Sequence, residues 1–341
     1  MRAARFGAAI VAAIALFGCA EAPQRPSPAP EIPVAPLEAG VVLARDDTFA
    51  IVVAGPGEDL AALAQRYLGD RAKRWWIGEY NGIDEVRAGQ TVVIPLKATN
   101  PFGVYGNGFV TIPILCYHRF GSRPSQLAVT PAAFEAQMDY LARNGYHVLP
   151  LSRVTGFFER GEPIPRKSVV LTIDDGFRST YDVAFPILKK YGFHATVFLY
   201  SDFVGAPDAL TWPQMKEMEA SGLVSIQPHS KTHTNLTTRL NGEADARYRD
   251  RIRAEVDVPI RAIADHLAVN SLAYAFPYGD VNETVVDLLK RQGVRMGVTV
   301  TPGGNAFFAY PFMLRRSMVF GGDSLDVFKS KLATYTQFPA R

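Results

Sequence analysis

Short apolar runs alternate with stretches of helical periodicity from residue 112 towards the C-terminus. The apolar runs predict strands at 112–117, 169–173, 195–200, 224–227, 271–276, 296–300 and 313–319. A 3.6-residue periodicity predicts helices at 131–144, 181–191, 212–221, 244–266, 282–292 and 325–335. This alternation predicts an α/β domain over residues 112–341 with parallel strands, arranged either as an open sheet or as a barrel.

Residues 48–96 follow a different and shorter pattern. It predicts a strand at 49–53, a helix at 60–67, a second helix around Trp75 and Trp76, and a strand at 91–95. This βααβ order predicts a small α+β domain at the N-terminal side of the larger one. Residues 97–111 contain one proline and several glycines, which predicts a linker between the two domains.

The small domain resembles a LysM domain. The matching residues are Gly57-Glu58-Asp59-Leu60, Ala64, Asn81-Gly82-Ile83, Ala88-Gly89-Gln90 and Val92-Val93-Ile94-Pro95. The resemblance implies binding to glycans that contain N-acetylglucosamine, such as peptidoglycan. The alternative is a spacer that has kept the fold without the ligand groove.

The first residues have the pattern of an export signal. Two arginines precede an apolar run at 6–17, and the run leads into a Leu-Phe-Gly-Cys sequence ending at Cys19. The run is too short to span a bilayer by itself, so residues 1–19 are predicted to be a signal peptide. The proline-rich residues 20–47 then predict an extended, semi-rigid linker.

The end of this leader resembles a bacterial lipobox, which implies that Cys19 carries lipid and anchors the protein to a membrane. Ala20 is compatible with sorting to an outer membrane. The alternative is an ordinary secretory signal that is cleaved nearby. Both interpretations place the mature protein outside the cytoplasm, and the lipid anchor would hold it in the cell envelope.

Composition narrows the classes of partner. The chain has 341 residues, of which 48% are hydrophobic and 20% charged, as is typical of a globular protein with a large core. The net charge is only +3 and there is no basic block, so nucleic acid is not expected as a partner. With Cys19 assigned to lipid, Cys116 has no partner for a disulfide and is predicted to be a small buried hydrophobe.

Two adjacent carboxylates follow the predicted strand at 169–173. Asp174 and Asp175 precede Gly176, so they are expected at the C-terminal end of a buried strand, where α/β enzymes place their chemistry. Neighbouring carboxylates repel unless a cation lies between them or one takes a proton. Taken alone, however, Asp-Asp-Gly is also a common solvated turn.

His229 and His233 follow the predicted strand at 224–227. Two imidazoles four residues apart on a turn of helix face the same way and can share one metal ion. With Asp175 they would supply two nitrogens and one oxygen, which suits a catalytic zinc site, and other divalent ions fit as well. By itself the His-x-x-x-His spacing could be accidental.

Three stretches together resemble the polysaccharide deacetylase family, the NodB-homology or carbohydrate esterase family 4 enzymes. They are 171–176 (LTIDDG), 229–233 (HSKTH) and 276–279 (FPYG), in matching order and spacing. The resemblance covers roughly residues 112–319 and implies a distorted (β/α)7 barrel. It also implies metal-dependent hydrolysis of the N-acetyl group of N-acetylglucosamine in a polymer.

The resemblance implies a role for each residue. Asp175, His229 and His233 would hold the metal, which activates water and polarises the acetyl carbonyl. Asp174 would act as general base. The backbone N–H of Tyr278, together with the metal, would stabilise the oxyanion.

The chain departs from the commonest pattern of that family at two places. No histidine follows His266, so the usual late Leu-x-x-His motif is missing, and no arginine precedes the 276–279 stretch. A subset that includes biofilm poly-N-acetylglucosamine deacetylases is more similar, with a Tyr-His pair early in the domain and a late arginine. This implies His118 as general acid and Arg316 as the residue that orients Asp174.

Both assignments have alternatives. His118 could be a hydrogen-bonded structural histidine, and Arg315 could serve in place of Arg316. The predicted function is a metal-dependent N-deacetylase that acts on exopolysaccharide or peptidoglycan in the envelope. Two other functions stay open: a glycan-binding protein whose barrel has lost catalysis, and an esterase that removes O-acetyl groups from sugars.

Overall fold

A computed structural model describes residues 40–339. The predicted signal peptide, the lipid site at Cys19 and most of the predicted linker at 20–47 lie outside the described residues. Within residues 40–339, no helix has both the length and the apolar character needed to cross a membrane.

The N-terminal module begins earlier than predicted. Its elements are β1 (Val42–Arg45), β2 (Phe49–Val53), α1 (Leu60–Leu68), α2 (Arg74–Asn81) and β3 (Thr91–Pro95). The three strands form one antiparallel sheet in the order β1-β2-β3. β1 was not predicted, because all four of its residues are exposed and it belongs to the stretch assigned to the linker.

Local capping and one half-buried amide shape the module. Asp59 caps α1 by accepting a hydrogen bond from the Ala62 N–H at 2.6 Å. Asn81, the last residue of α2, joins the helix to β3: its amide nitrogen donates to Val93 O at 2.7 Å and its oxygen accepts from Val93 N at 2.9 Å. This pair of bonds explains the Asn-Gly at the end of α2, where Gly82 adopts a φ of 66°.

The larger part of the chain alternates strands and helices. Its strands are β4 (Val104–Tyr105), β5 (Gly108–Val110), β6 (Ile112–Tyr117), β7 (Arg119–Phe120), β8 (Ala128–Val129), β9 (His147–Val148), β10 (Ser168–Asp175), β11 (Ala195–Leu199), β12 (Val224–Pro228), β13 (Ala273–Ala275), β14 (Met296–Val298), β15 (Gly304–Asn305), β16 (Ser317–Met318) and β17 (Tyr335–Gln337). Its helices are α3 (Pro131–Arg143), α4 (Leu151–Arg160), α5 (Phe185–Tyr191), α6 (Trp212–Ala220), α7 (Asp245–Leu267), α8 (Glu283–Arg291) and α9 (Leu325–Ser330). The α/β class is therefore confirmed.

Seven parallel strands surround one interior. β12, β11, β10, β6 and β16 are hydrogen-bonded side by side, and every pair is parallel. β13 and β14 form a second parallel pair. A parallel bridge between Val298 and Leu314 connects β14 to the segment that leads into β16. These seven strands correspond to the seven that the apolar runs predict.

The ring of strands has a gap in its hydrogen bonding between β12 and β13. A side chain spans it: Gln227 Oε1 accepts from the backbone N–H groups of Leu272 at 2.8 Å and Ala273 at 2.9 Å. Gln227 is only 4% exposed, so this amide satisfies backbone donors that would otherwise be buried without partners.

The alternation of side chains along β10 decides what faces the interior. Val169, Leu171 and Ile173 pack outwards with residues of α3, α5 and α6, whereas Val170 packs inwards with Ile114 and Phe198. Because side chains alternate along a strand, Thr172 and Asp174 lie on the same inward face as Val170. The strand therefore reads as apolar on both faces but ends with a carboxylate inside the ring.

Three local predictions differ from the structure. α4 was missed, although Leu151, Val154 and Phe157 lie at helical spacing and are buried. The last helix ends at Ser330 instead of 335, and the residues after it form β17. β17 pairs with β5, and β5 pairs with β4, so the predicted linker at 97–111 contains two short strands. The pairing of β17 with β5 joins segments more than 200 residues apart, which local sequence patterns cannot show.

Candidate active site

Asp175, His229 and His233 converge at the C-terminal ends of β10 and β12. One ligand atom from each lies within 4.8 Å of the others. Asp175 Oδ1 is 3.3 Å from His233 Nε2 and 3.7 Å from His229 Nε2. The three predicted metal ligands are thus brought together from the ends of two strands that β11 separates in the sheet.

The two histidines were predicted to lie on a helical turn, but they do not. Residues 229–233 form an irregular loop after β12. Ser230 and His233 have positive φ angles of 78° and 61°, which turn the chain back so that both imidazoles approach Asp175. The prediction of a helix was wrong because the four-residue spacing is equally compatible with a tightly bent loop.

The donor groups fit a divalent cation. Asp175 Oδ1 is buried and accepts no hydrogen bond in the described part of the chain. His229 Nδ1 lies 2.8 Å from Ala275 O, a carbonyl that can only accept, so this nitrogen carries the proton. The lone pair of His229 is therefore on Nε2, which faces Asp175. A backbone carbonyl that fixes the tautomer in this way is typical of metal-binding histidines.

The pKa shifts of these three side chains also favour a bound cation. Burial, reinforced by the charge of Asp174, raises the pKa of Asp175 to about 6. Burial lowers the pKa of His229 to about 4 and also lowers the pKa of His233. The site therefore holds neutral imidazoles beside a carboxylate whose negative charge is poorly compensated, and a divalent cation would compensate it.

Asp174 has the opposite environment. It is 1% exposed and makes a two-pronged ion pair with Arg316, with distances of 2.6 Å (Nη1 to Oδ1) and 2.7 Å (Nη2 to Oδ2). Arg316 is itself fully buried and also donates to Thr299 O at 2.8 Å and to Thr172 Oγ1 at 3.1 Å. Burial by itself would raise the pKa of Asp174, but the charges of Arg316 and His229 and the Arg316 hydrogen bonds hold it below its usual range.

The structure distinguishes Arg316 from Arg315. Arg315 is exposed and its Nη1 donates to Pro302 O at 3.1 Å, away from the carboxylates. Arg316 alone of the two reaches Asp174. The sequence could not separate them, because a strand as short as β16 does not reveal which neighbour faces inwards.

Cys116 also contacts Asp174, which the sequence analysis missed. Its Sγ lies 3.4 Å from Asp174 Oδ2, and burial raises the pKa of the thiol well above its usual value. The thiol therefore stays protonated and donates a weak hydrogen bond to the carboxylate. Cys116 was predicted to be a small buried hydrophobe. It is fully buried, but it serves as a polar partner as well.

His118 lies on the other side of the same carboxylate. Ligand atoms of His118, Cys116 and Asp174 lie within 4.8 Å of one another. This group does not suit a second metal, because Arg316 already occupies both oxygens of Asp174 and the thiol is protonated. His118 Nδ1 is buried without a hydrogen-bond partner in residues 40–339. This ring nitrogen therefore has an unused hydrogen-bonding position beside Asp174.

Tyr278 borders the site from the turn after β13. Its ring lies 4.9 Å from that of His233, and its side chain is 61% exposed. Its φ of 62° is strained for a non-glycine residue. Of the six non-glycine residues with positive φ in the described chain, four are here: Asp175, Ser230, His233 and Tyr278. Such concentration of backbone strain is typical of functional sites.

Trp212, an aromatic residue at the start of α6, is not part of the site. Its ring stacks on that of His266 at 4.2 Å, and it packs against the core formed by the strands and the outer helices. It therefore caps the hydrophobic core rather than offering a free surface to a sugar.

Comparison with known proteins agrees with this geometry. A profile of the polysaccharide deacetylase family matches residues 161–297, which include the three metal-ligand candidates, Asp174 and Tyr278. The Bacillus subtilis protein named "Putative polysaccharide deacetylase YxkH" is 32% identical over 217 residues, which cover 64% of this chain and 74% of that protein.

Two further relatives are informative. An Escherichia coli poly-beta-1,6-N-acetyl-D-glucosamine N-deacetylase is 27% identical over 234 residues, or 58% of this chain, but the match spans only 34% of that enzyme. The solved structure of the Streptococcus pyogenes deacetylase PplD in complex with acetate superposes with a TM-score of 0.60 and 29% identity, covering 65% of this chain and 98% of that one. On this likeness of sequence, fold and motif residues, the chain belongs to the polysaccharide deacetylase family, whose members are hydrolases of carbon–nitrogen bonds.

Proposed function

We propose that this protein is a metal-dependent N-deacetylase of a polysaccharide that contains N-acetylglucosamine. The observation that carries the proposal is that a cluster of possible metal ligands and an ionised carboxylate lie side by side. A three-donor cluster (Asp175, His229 and His233) lies directly beside Asp174, a carboxylate that Arg316 keeps ionised. The two-nitrogen, one-oxygen donor set favours zinc. The ring of seven parallel strands around this site supports the description of the larger domain as a distorted (β/α)7 barrel.

The metal, when bound by Asp175, His229 and His233, would lower the pKa of a water molecule and polarise the acetyl carbonyl. Asp174 accepts the proton of the attacking water, since Arg316 holds it ionised and fixes its orientation. The Tyr278 backbone N–H is our candidate donor to the oxyanion. His118 then protonates the departing nitrogen as the C–N bond breaks, so the products are acetate and a free amine on the sugar.

The substrate class follows from the relatives. The Escherichia coli enzyme named above acts on poly-beta-1,6-N-acetyl-D-glucosamine, and we extend N-acetylglucosamine polymers to this chain as substrates. Exopolysaccharide and peptidoglycan both contain the sugar. We further propose that Cys19 is lipidated and that the protein works in the cell envelope, held at a membrane through residues 20–47.

We infer that the N-terminal module is LysM-like and binds the same class of glycan. The βααβ arrangement and the Asn81 bonds to β3 support this inference. Trp75 and Trp76 are half-buried with rings stacked at 6.1 Å, and they line a cleft that also includes Pro163 of the larger domain. The binding of the purified protein to peptidoglycan can be measured for wild type and for Trp76→Ala. Weaker binding by the variant would support contact between these rings and the sugar.

The activity can be tested with the chain from residue 20 onwards. It is incubated with poly-β-1,6-N-acetylglucosamine, a chitin oligomer and peptidoglycan, with chelator and after zinc is restored. Free amine and acetate are both measured. Amine release that stops with chelator and returns with zinc supports the proposal. Acetate without amine identifies an O-acetyl esterase instead, and glycan binding without either product identifies a protein that has lost catalysis.

A further inference from the structure

One buried carboxylate makes three of the hydrogen bonds that hold the loop carrying both metal-ligand histidines. Glu255, in the middle of α7, is 5% exposed. Its Oε2 accepts from Lys231 N at 3.0 Å and Thr232 N at 2.9 Å, and its Oε1 accepts from Thr232 Oγ1 at 2.8 Å. All three hydrogen bonds that the structure gives this carboxylate come from residues 229–233.

This loop needs an external support because its backbone is strained. Ser230 and His233 both adopt the left-handed conformation, which is unfavourable for residues with a side chain. Within the loop, the support is one bond from His233 N to Ser230 Oγ at 2.8 Å. The remaining turn, Lys231 and Thr232, lies between the two histidines. Glu255 fixes it from outside on one side, and Asp202 does so on another: its N–H donates to Lys231 O at 2.9 Å and its carboxylate pairs with Lys231 Nζ. Strain of this kind persists only where surrounding contacts determine the conformation.

A carboxylate suits this position better than an amide. The loop directs two N–H groups and one hydroxyl at Glu255. An ionised carboxylate accepts all three, and such charge-assisted bonds are stronger than bonds between neutral groups. A glutamine could keep its oxygen on the two N–H groups and donate its NH₂ group to the Thr232 hydroxyl, but all three bonds would lose the assistance of the charge. A single glutamate on the apolar face of α7, between Ile252 and Pro259, is the sequence signal that could have revealed this role.

We propose that Glu255 is a positioning residue that sets the affinity of the site for its metal. By holding Lys231 and Thr232, it keeps His229 and His233 directed at the same point beside Asp175. This inference rests on the proposed metal-dependent function. Glu255 is not one of the three donors that converge at the site, and it acts through the loop between two of them, so its effect should be on metal binding before it is on chemistry.

The experiment compares wild type, Glu255→Gln and Asp265→Asn, each as the chain from residue 20 onwards. Asp265 lies on the same helix and is exposed. Asp265→Asn removes the same charge as Glu255→Gln, so it is the matched control. The dissociation constant for Zn²⁺ is measured by competition with a chromogenic chelator. Thermal unfolding of the metal-free proteins is recorded in parallel.

We expect Glu255→Gln to weaken zinc binding by roughly 10- to 100-fold and Asp265→Asn to leave it unchanged. Excess zinc should restore most of the deacetylase activity of Glu255→Gln. A folded Glu255→Gln protein that binds zinc within twofold of wild type would overturn the inference. A wild-type protein that binds no zinc would instead overturn the proposed metal dependence.

A second variant covers the case in which Glu255→Gln does not fold. Thr232→Val removes only the hydroxyl bond to Glu255, and Thr232 is exposed, so the change should not disturb the core. We expect zinc binding to weaken by about 2- to 10-fold, with one of three supporting bonds lost. Unchanged affinity in Thr232→Val would also count against a positioning role for Glu255.

Discussion

Asp174 and Asp175 are adjacent in the chain, yet the structure treats them in opposite ways. Asp174 is almost completely buried, both its oxygens are bound by Arg316, and its pKa is held below the usual range. Asp175 has an oxygen without a hydrogen-bond partner, and burial raises its pKa to about 6. Two titratable groups whose environments move their pKa values apart are suited to different roles. Here one is suited to be a permanently ionised base and the other to bind a cation.

The largest expected effect comes from removing the charge of Asp174. Asp174→Asn leaves the buried guanidinium of Arg316 without a counter-charge, because no other carboxylate in the described chain forms an ion pair with it. We expect a loss of about 3–5 kcal/mol of unfolding free energy at pH 7, together with loss of deacetylation. Urea unfolding at neutral pH measures the loss of unfolding free energy. A change below about 1 kcal/mol would show that the ion pair is not what stabilises this side of the site.

A smaller effect is expected when the candidate acid is removed. His118→Ala should lower the rate of N-acetyl hydrolysis by roughly 10²-fold, since an amide nitrogen leaves poorly without a proton. Hydrolysis of an activated acetate ester by the same variant should fall much less, because that leaving group needs no proton. Equal losses on both substrates would identify His118 as structural. Thermal unfolding of the variant should match that of wild type.

Asp175 should have the opposite effect to Asp174 on stability: removing its charge should raise the unfolding free energy of the metal-free protein. Its folded pKa is raised from 3.8 to about 6 in the metal-free protein, so the folded state binds the proton more tightly than the unfolded chain does. Stability from this group is therefore present below about pH 4 and is lost as the pH rises through about 6. With chelator at pH 7, Asp175→Asn should be more stable than wild type by about 2–3 kcal/mol.

The measurement for Asp175 is the unfolding free energy of both proteins with chelator at pH 4 and pH 7. The advantage of Asp175→Asn should shrink at the lower pH, where the wild-type carboxyl is protonated. The variant should also fail to bind zinc. An Asp175→Asn protein that is less stable than wild type at pH 7 would contradict the contrast between the two aspartates.

The smallest effect is expected at Cys116. Cys116→Ser keeps a hydrogen-bond donor beside Asp174, whereas Cys116→Ala removes it. We expect Cys116→Ala to lower the unfolding free energy by about 1 kcal/mol more than Cys116→Ser does. Thermal unfolding and kcat/KM of the two variants compare them directly. If serine is the more damaging substitution, the thiol contributes by packing alone.

Much of the architecture could be read from local patterns. The seven apolar runs correspond to the seven parallel strands, since each is short and almost entirely buried, and six of the seven are followed by a predicted helix. α4 was missed because no strong start signal precedes Leu151. The prediction of a helical turn at His229–His233 failed because residue spacing does not report backbone strain. β17 and its pairing with β5 could not be predicted, since the two strands lie at opposite ends of the domain. β4 and β5 form a local hairpin, but with two and three residues they are too short to give a strand pattern.

The sequence by itself determined which chemical groups are available: two carboxylates at the end of a buried strand, two imidazoles after another strand, and the loop that holds Tyr278. Only the tertiary structure decided how these groups differ. Arg316, 142 residues beyond Asp174, selects one aspartate of the pair, and Glu255 shapes the loop that carries both histidines. The physical reason is that pKa and metal affinity depend on burial and on neighbouring charges, which are set by folding and not by adjacency in the chain.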